Sequence, residues 1–165
     1  IDMPFRKSLS HIVGNTILAV AAMAMGIAAH AESRYTLSAD GQEVTDTQTK
    51  LVWQRCAVGM KWDGKTCVGK ATKMSLAQAK KAQDASNPGW RAPNKDELTS
   101  LVDKSQKKTR IDHDAFPATP YGGFWAMRPE TNDNLNAWLV DFRNGRVVGN
   151  ARKVNHFVRL VRSPG

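Results

Sequence analysis

The stretch CAVGMKWDGKTC holds both cysteines of the chain, Cys56 and Cys67, and their chemistry limits the fold more than any other pair of residues. Redox centres of the thioredoxin type and zinc knuckles place their ligands a few residues apart. Ten intervening residues around Asp63-Gly64 fit neither. By spacing alone the pair stays open between a staple, a redox couple and half of a metal site, so the compartment decides.

Residues 1–31 read as a secretory leader. Arg6 and Lys7 precede an apolar run from Ile12 to Ala29, and Ala29-His30-Ala31 supplies a small-residue cleavage site before Glu32. The rival is an uncleaved anchor of borderline length, which Asn15 interrupts. Cleavage is expected after Ala31, and Ile1 and Asp2 read as a remnant ahead of Met3. The expected product is a single domain over residues 32–165, periplasmic or secreted, with no membrane span once the leader is gone.

In an oxidising compartment the two cysteines of a small domain pair, so a Cys56–Cys67 disulfide is expected. A regular hairpin closed by a two-residue Asp63-Gly64 turn would set Cys67 opposite Met60. Cys56 would then lie roughly 13 Å further along the strand, beyond the roughly 4.4–6.8 Å between bridged Cα atoms. The bond therefore demands an irregular loop.

Periodicity supplies the rest of the framework. GQEVTDTQTKLVWQRC reads as two extended segments, residues 43–46 and 51–54, around a turn at 47–50. ATKMSLAQAKKAQDA places Leu76, Ala79 and Ala82 at helical spacing behind a cap at Ser75 or Thr72. In GWRAPNKDELTSLVD, Pro93 stops any helix from running through, while Asn94 and Glu97 form a capping box ahead of a buried stripe of Leu98, Leu101 and Val102. Residues 104–121 show no period and read as a long surface loop. The remainder reads as strands: GGFWAM, a hairpin breaking at Asn144-Gly145 that would pair Phe142 with Val147 and Trp138 with Ala151, and HFVRLVRS. Two helices followed by strands imply an α+β domain.

Taken together, GQEVTDTQTKLVWQRC, GWRAPNKDELTSLVD, IDHDAFP, FWAM, AWLVDF and FVRLVR resemble the Lcl C-terminal domain family, named for a Legionella collagen-like protein. The likeness runs from about Gly41 to Arg162. Ala92 stands where the family usually has Leu, and Ala126 to Arg128 stand where it has small polar residues. The resemblance implies a C-type-lectin-like fold, with two helices packed on twisted antiparallel sheets and the chain ends close together, in a bacterial envelope or secreted setting. It implies no reaction, because that fold hosts glycan binding, protein binding and, in sulfatase-modifying relatives, oxidative chemistry.

Candidate chemistry is therefore weighed residue by residue. The sulfatase-modifying, formylglycine-generating relatives use late cysteines, whereas these two are early. His113 and His156 are the histidines of the expected domain, and the Asp112-His113-Asp114 run reads as a turn and cap element. Weak calcium candidates are Glu130, Asn132, Asp133 and Asn134, hard oxygen ligands in one loop. Trp53, Trp90, Trp125 and Trp138 fall on the family's core motifs, so the resemblance implies that they are buried. Trp62, between Lys61 and Lys65 in the cysteine loop, reads as a contact residue. Tyr121, Arg128, Asn132, Asn134, Arg143 and Arg146 complete the ligand-binding candidates, and Arg152, Lys153, Arg159 and Arg162 extend the basic cluster.

A formal net charge of +9 favours anionic partners without naming a site. The leading expectation is a non-enzymatic, exported ligand-binding or adhesion module for a glycan, an anionic surface polymer or a protein. No cofactor is expected, and no nucleic acid, since no recognised nucleic-acid module is present. The alternative is a divergent enzyme of the sulfatase-modifying superfamily.

Overall fold

The computed structural model describes residues 31–85, 89–127 and 135–165. The expected leader, apart from Ala31, and the candidates Arg128, Glu130, Asn132, Asp133 and Asn134 lie outside them. Strands β1 (Tyr35–Leu37), β2 (Glu43–Asp46) and β3 (Val52–Gln54) pair antiparallel, and β9 (Val161–Arg162) closes that sheet beside β3. β4 (Lys61–Trp62) and β5 (Cys67–Val68) form a small ribbon. Helices α1 (Leu76–Ala85) and α2 (Lys95–Thr99) precede a second antiparallel sheet of β6 (Gly123–Ala126), β7 (Asn136–Asp141) and β8 (Arg146–Ala151). The α+β class and the disulfide are as expected. Residues Glu32–Gly165 form one compact unit.

Local chemistry sets the helix starts. Ser75 and Gln78 exchange side-chain and backbone bonds at the head of α1, which resolves the choice of cap. At α2 the Asn94 side chain accepts from the Glu97 amide at 2.8 Å, and Glu97 accepts from the Asn94 amide at 2.8 Å. The Glu97 carboxylate also takes a forked pair of bonds from Arg91, 2.7 Å each. Burial opposes charge on Glu97, yet Arg91 and the Asn94 amide hold its carboxyl below the ordinary value.

The β6–β7 pair is buried on both faces. Phe124 and Val140 look into a core with Val44, Trp53, Leu98, Phe116 and Phe142, while Trp125, Ala137 and Leu139 pack with Met74 and Ala79 under α1. The closing run HFVRLV lies between these clusters and obeys strand alternation. Phe157 and Val161 enter the first cluster, Val158 and Leu160 the second.

That alternation carries Arg159 inward. It is fully buried, with its guanidinium 4.9 Å from the Phe116 ring centre and 5.7 Å from that of Phe124. It donates to the carbonyls of Gln54, at 3.1 Å, and Arg55, and to the Thr119 hydroxyl at 2.9 Å. Burial pushes its pKa down to about 9, which leaves it charged at neutral pH. Arg159 therefore drops out of the expected basic surface.

Two further expectations are corrected. Asn144-Gly145 does not close a two-residue hairpin. Asp141 pairs with Arg146 and Trp138 with Gly149, so the loop has four residues, 142–145, and the register moves by two. The Asp141 carboxylate accepts the Arg143 amide and guanidinium, and the Asp141 carbonyl accepts the Gly145 amide at 2.7 Å. Phe142 thereby leaves the β7–β8 ladder, keeps an amide bond to the Gly122 carbonyl at 3.1 Å, and is fully buried. Residues 104–121 lack regular structure as expected, but they are not merely surface: Ile111, Ala115 and Phe116 belong to the first core.

Two outcomes check these interactions. Arg159→Met strands the Gln54 and Arg55 carbonyls without a donor and is expected to cost about 2 kcal/mol, read as a lower urea midpoint. Arg91→Met tests the lowered Glu97 pKa. A carboxyl whose pKa is depressed by folding adds stability above its unfolded pKa, near 4.3, and loses it as pH falls through the folded value. The variant should be less stable at neutral pH and should lose stability less steeply on acidification below about pH 5.

Candidate functional site

The cysteine loop is irregular in the way its disulfide demands. Trp62 pairs with Cys67, so the β4–β5 loop has four residues, 63–66, and Cys67 sits two positions away from the Met60 pairing of a regular hairpin. The Asp63 carboxylate accepts the amides of Lys65 at 2.8 Å and Thr66 at 2.7 Å and fixes that loop. On the other arm the chain reverses between Ala57 and Met60 through Gly59, at φ +94°. A side chain at Gly59 would lie 2.3 Å from the Thr72 hydroxyl, so only glycine fits. Together the loop and the reversal bring the Cys56 and Cys67 Cα atoms to 5.5 Å and close the disulfide.

This loop forms one wall of a cleft of about 640 Å³, whose lining includes Asp40, Glu43, Gln54, Lys61, Trp62 and Trp90. Trp62 is half-buried, with the Arg55 guanidinium 4.3 Å from its ring centre. Arg55 is buried and immobilised by the carbonyls of Gly41, Asp114 and Ala115, at 2.8–2.9 Å. Gly41, at φ +74°, lies under the indole, and a Cβ there would sit 2.9 Å from Trp62 Nε1. Trp90, like Trp138, is half-buried at the edge of a core cluster rather than enclosed in it, and the Arg162 guanidinium stands 5.2 Å from the Trp90 ring centre, tethered to Glu43 at 2.9 Å.

Two grooves continue from this cleft. The first, about 890 Å³, shares Met60 with it and carries Lys70, Lys73 and Phe157, with Lys73 Nζ 5.0 Å from the Phe157 ring centre. The second, about 570 Å³, meets the first at Ala118 and carries Lys108, His113 and Tyr121. Among the described residues, no Asp or Glu lines either groove. Tyr121 is 66 % exposed.

The sequence candidates thus divide. Lys61 and Trp62 share the cleft, Tyr121 lies in the lysine-bearing groove, and Lys65 stands exposed on the loop beyond Trp62. Arg143 is spent partly on Asp141, at 2.6 Å, and Arg146 is exposed at the start of β8. Trp90, Lys70, Lys73 and Lys108 were not singled out as ligand residues. Trp90 follows the turn glycine Gly89, at φ +94°, and the lysines are spread over two distant segments, so no local pattern joins them.

The histidines have structural surroundings. His113 Nε2 contacts the Thr109 hydroxyl at 3.1 Å and carbonyl at 3.0 Å, while Asp112 accepts the amides of Asp114 and Ala115 in the turn-and-cap arrangement. His156 packs edge-on against Trp125, with centroids 4.8 Å apart. Burial and the neighbouring Lys73 lower its pKa. Among the described residues, no three His, Cys, Asp or Glu side chains converge as a metal site requires.

Gly41→Ala puts a Cβ against the Trp62 indole and forces an unfavourable backbone conformation. It is expected to cost about 1–2 kcal/mol and to shift tryptophan emission toward that of a solvated indole, both measurable in one urea titration followed by fluorescence.

No curated protein matches the chain at a significant level. Residues 42–162, which include both tryptophans of the cleft, the disulfide and both basic grooves, match the family model described as the Lcl C-terminal domain, and the chain belongs to that family.

Proposed function

We propose that this Lcl C-terminal domain is a non-enzymatic, exported binding or adhesion module with a C-type-lectin-like fold, and that its basic grooves take an anionic glycan or surface polymer. The observation that carries the reading is the run of Lys70, Lys73 and Lys108 along two adjoining grooves with no carboxylate among their lining residues. A concave surface of one sign focuses its potential and concentrates a polyanion. Phe157 and Tyr121 add apolar surface beside the charges, as sugar rings require. Export rests on the charged, apolar and small-residue pattern of residues 1–31, and the disulfide suits an oxidising destination. Both cysteines are spent on that staple, which weighs against the sulfatase-modifying alternative.

An array of sulfated, uronic-acid and neutral glycans, read at low and moderate salt, tests the reading. Acidic polymers are expected to bind and to weaken with salt. The double change Lys70→Glu, Lys73→Glu should lower that binding about tenfold or more, equivalent to at least about 1.4 kcal/mol. Binding that ignores both salt and charge reversal excludes the grooves. Absence of acidic-glycan binding leaves the protein-partner form of the reading.

A further inference from the structure

The cleft beside the disulfide has a different chemistry from the grooves. Its lining sets Asp40 and Glu43 against Lys61, and the Arg55 and Arg162 guanidiniums behind the rings are spent on backbone carbonyls and on Glu43, so its cations are not displayed to a polyanion as the groove lysines are. Two tryptophans dominate it instead. Each has a guanidinium over its ring, and each guanidinium is itself held by the protein: Arg55 by three backbone carbonyls, Arg162 by Glu43. The indoles are therefore fixed before any ligand arrives, which reduces the ordering cost of binding. The absence of a Cβ at Gly41 is what lets Trp62 lie where it does.

The polar groups around these rings are rich in acceptors. The Gln54 side-chain amide is half-exposed and has no hydrogen-bond partner among the described residues. Glu43 gives Oε2 to Arg162 and has no such partner at Oε1, while the exposed Asp40 carboxylate is oriented by Ser38 and by the Gln42 amides. Carboxylates and amides at the rim of an aromatic cleft match the vicinal hydroxyls of a sugar, which donate and accept at neighbouring positions. A proline-rich peptide, the other common occupant of tryptophan-lined grooves, offers mainly carbonyl acceptors. Against a rim whose charged lining residues are mostly carboxylates, those acceptors gain little. A volume of about 640 Å³ also falls within the range of small-ligand sites.

We infer that the Trp62–Trp90 cleft is a second binding site, for the pyranose ring of a neutral oligosaccharide, distinct in chemistry from the lysine-lined grooves. It requires neither the lysines nor an acidic polymer, so it stands or falls apart from the reading above.

The test is tryptophan fluorescence and saturation-transfer NMR on the whole chain with neutral oligomers of glucose, mannose, galactose and N-acetylglucosamine. At least one is expected to bind with little change between low and moderate salt. Trp90→Ala and Gln54→Ala should each weaken it, the first about tenfold or more, while Lys70→Glu, Lys73→Glu leaves it unchanged. Circular dichroism and the urea midpoint of Trp90→Ala separate loss of the ring from loss of fold, and Gln54→Ala, a half-exposed change, gives a second reading that does not depend on the aromatic core. Failure of every neutral oligomer to bind up to about 10 mM overturns the inference. So does binding that survives both substitutions, or capture of a proline-rich peptide in place of sugar.

Discussion

One fully buried cation, Arg159, ties the end of β3 to a loop that has no regular structure of its own. Strand alternation in HFVRLV leaves it nowhere to go but inward, between Phe116 and Phe124. A lone charge in such a place is costly unless its donors are satisfied. Here the two terminal nitrogens donate to the carbonyls of Gln54 and Arg55 and to the Thr119 hydroxyl, while Nε has no partner among the described residues, so the cost of burial is offset only in part, by fixing both the end of β3 and the loop of residues 104–121. Arg55 repeats the device one layer out. Its own carbonyl is held by Arg159, and its side chain holds Gly41, Asp114 and Ala115 while backing Trp62. Core, loop and cleft wall are thus connected through two guanidiniums and a set of backbone carbonyls.

This explains which parts of the fold were legible in the sequence. Signals confined to a few residues were read correctly: the Asn94–Glu97 capping box, the β2–β3 hairpin and the α1 stripe through Ala79. The disulfide also followed, from the expectation of an oxidising compartment, and chain geometry added that its loop must be irregular. One failure turned on a competing local contact and the other on groups far apart in sequence. Asn144-Gly145 carries a strong two-residue turn signal, but the Asp141 carboxylate and the burial of Phe142 favour the four-residue loop. Arg159 shares its strand face with Phe157 and Val161, but in HFVRLV both faces are apolar and a cation there reads as surface. Only the pairing of β3 with β9 and the packing of residues 104–121 reveal a buried site for it.

The candidate site was legible in the same partial way. Trp62 stood out because it sits between lysines in a loop too irregular to hide it. Trp90 did not, since it falls on a core motif of the family, and its place on the cleft depends on Arg162 and Glu43 from the first sheet. The basic grooves draw Lys70 and Lys73 from the segment after β5 and Lys108 from the long loop, so their common face exists only in the folded chain. Met60 lines both the cleft and the adjoining groove. Two environments, one acceptor-rich and aromatic and one cationic, therefore abut across a single apolar side chain.

The disulfide gains its meaning from that arrangement. β4 and β5 have two residues each, far too few to stand as an isolated ribbon in water. Closing a loop with a sequence separation of 11 residues removes unfolded-state entropy worth about 3 kcal/mol in the chain-entropy model. The constraint acts on the ribbon that carries Trp62, opposite Cys67 itself, while Arg55 and Gly41 fix the indole from the other side. A tryptophan in a two-residue strand would otherwise have to be ordered by its ligand, at a cost to affinity. Bound between a covalent closure and a carbonyl-anchored arginine, the indole is in place before the proposed sugar arrives.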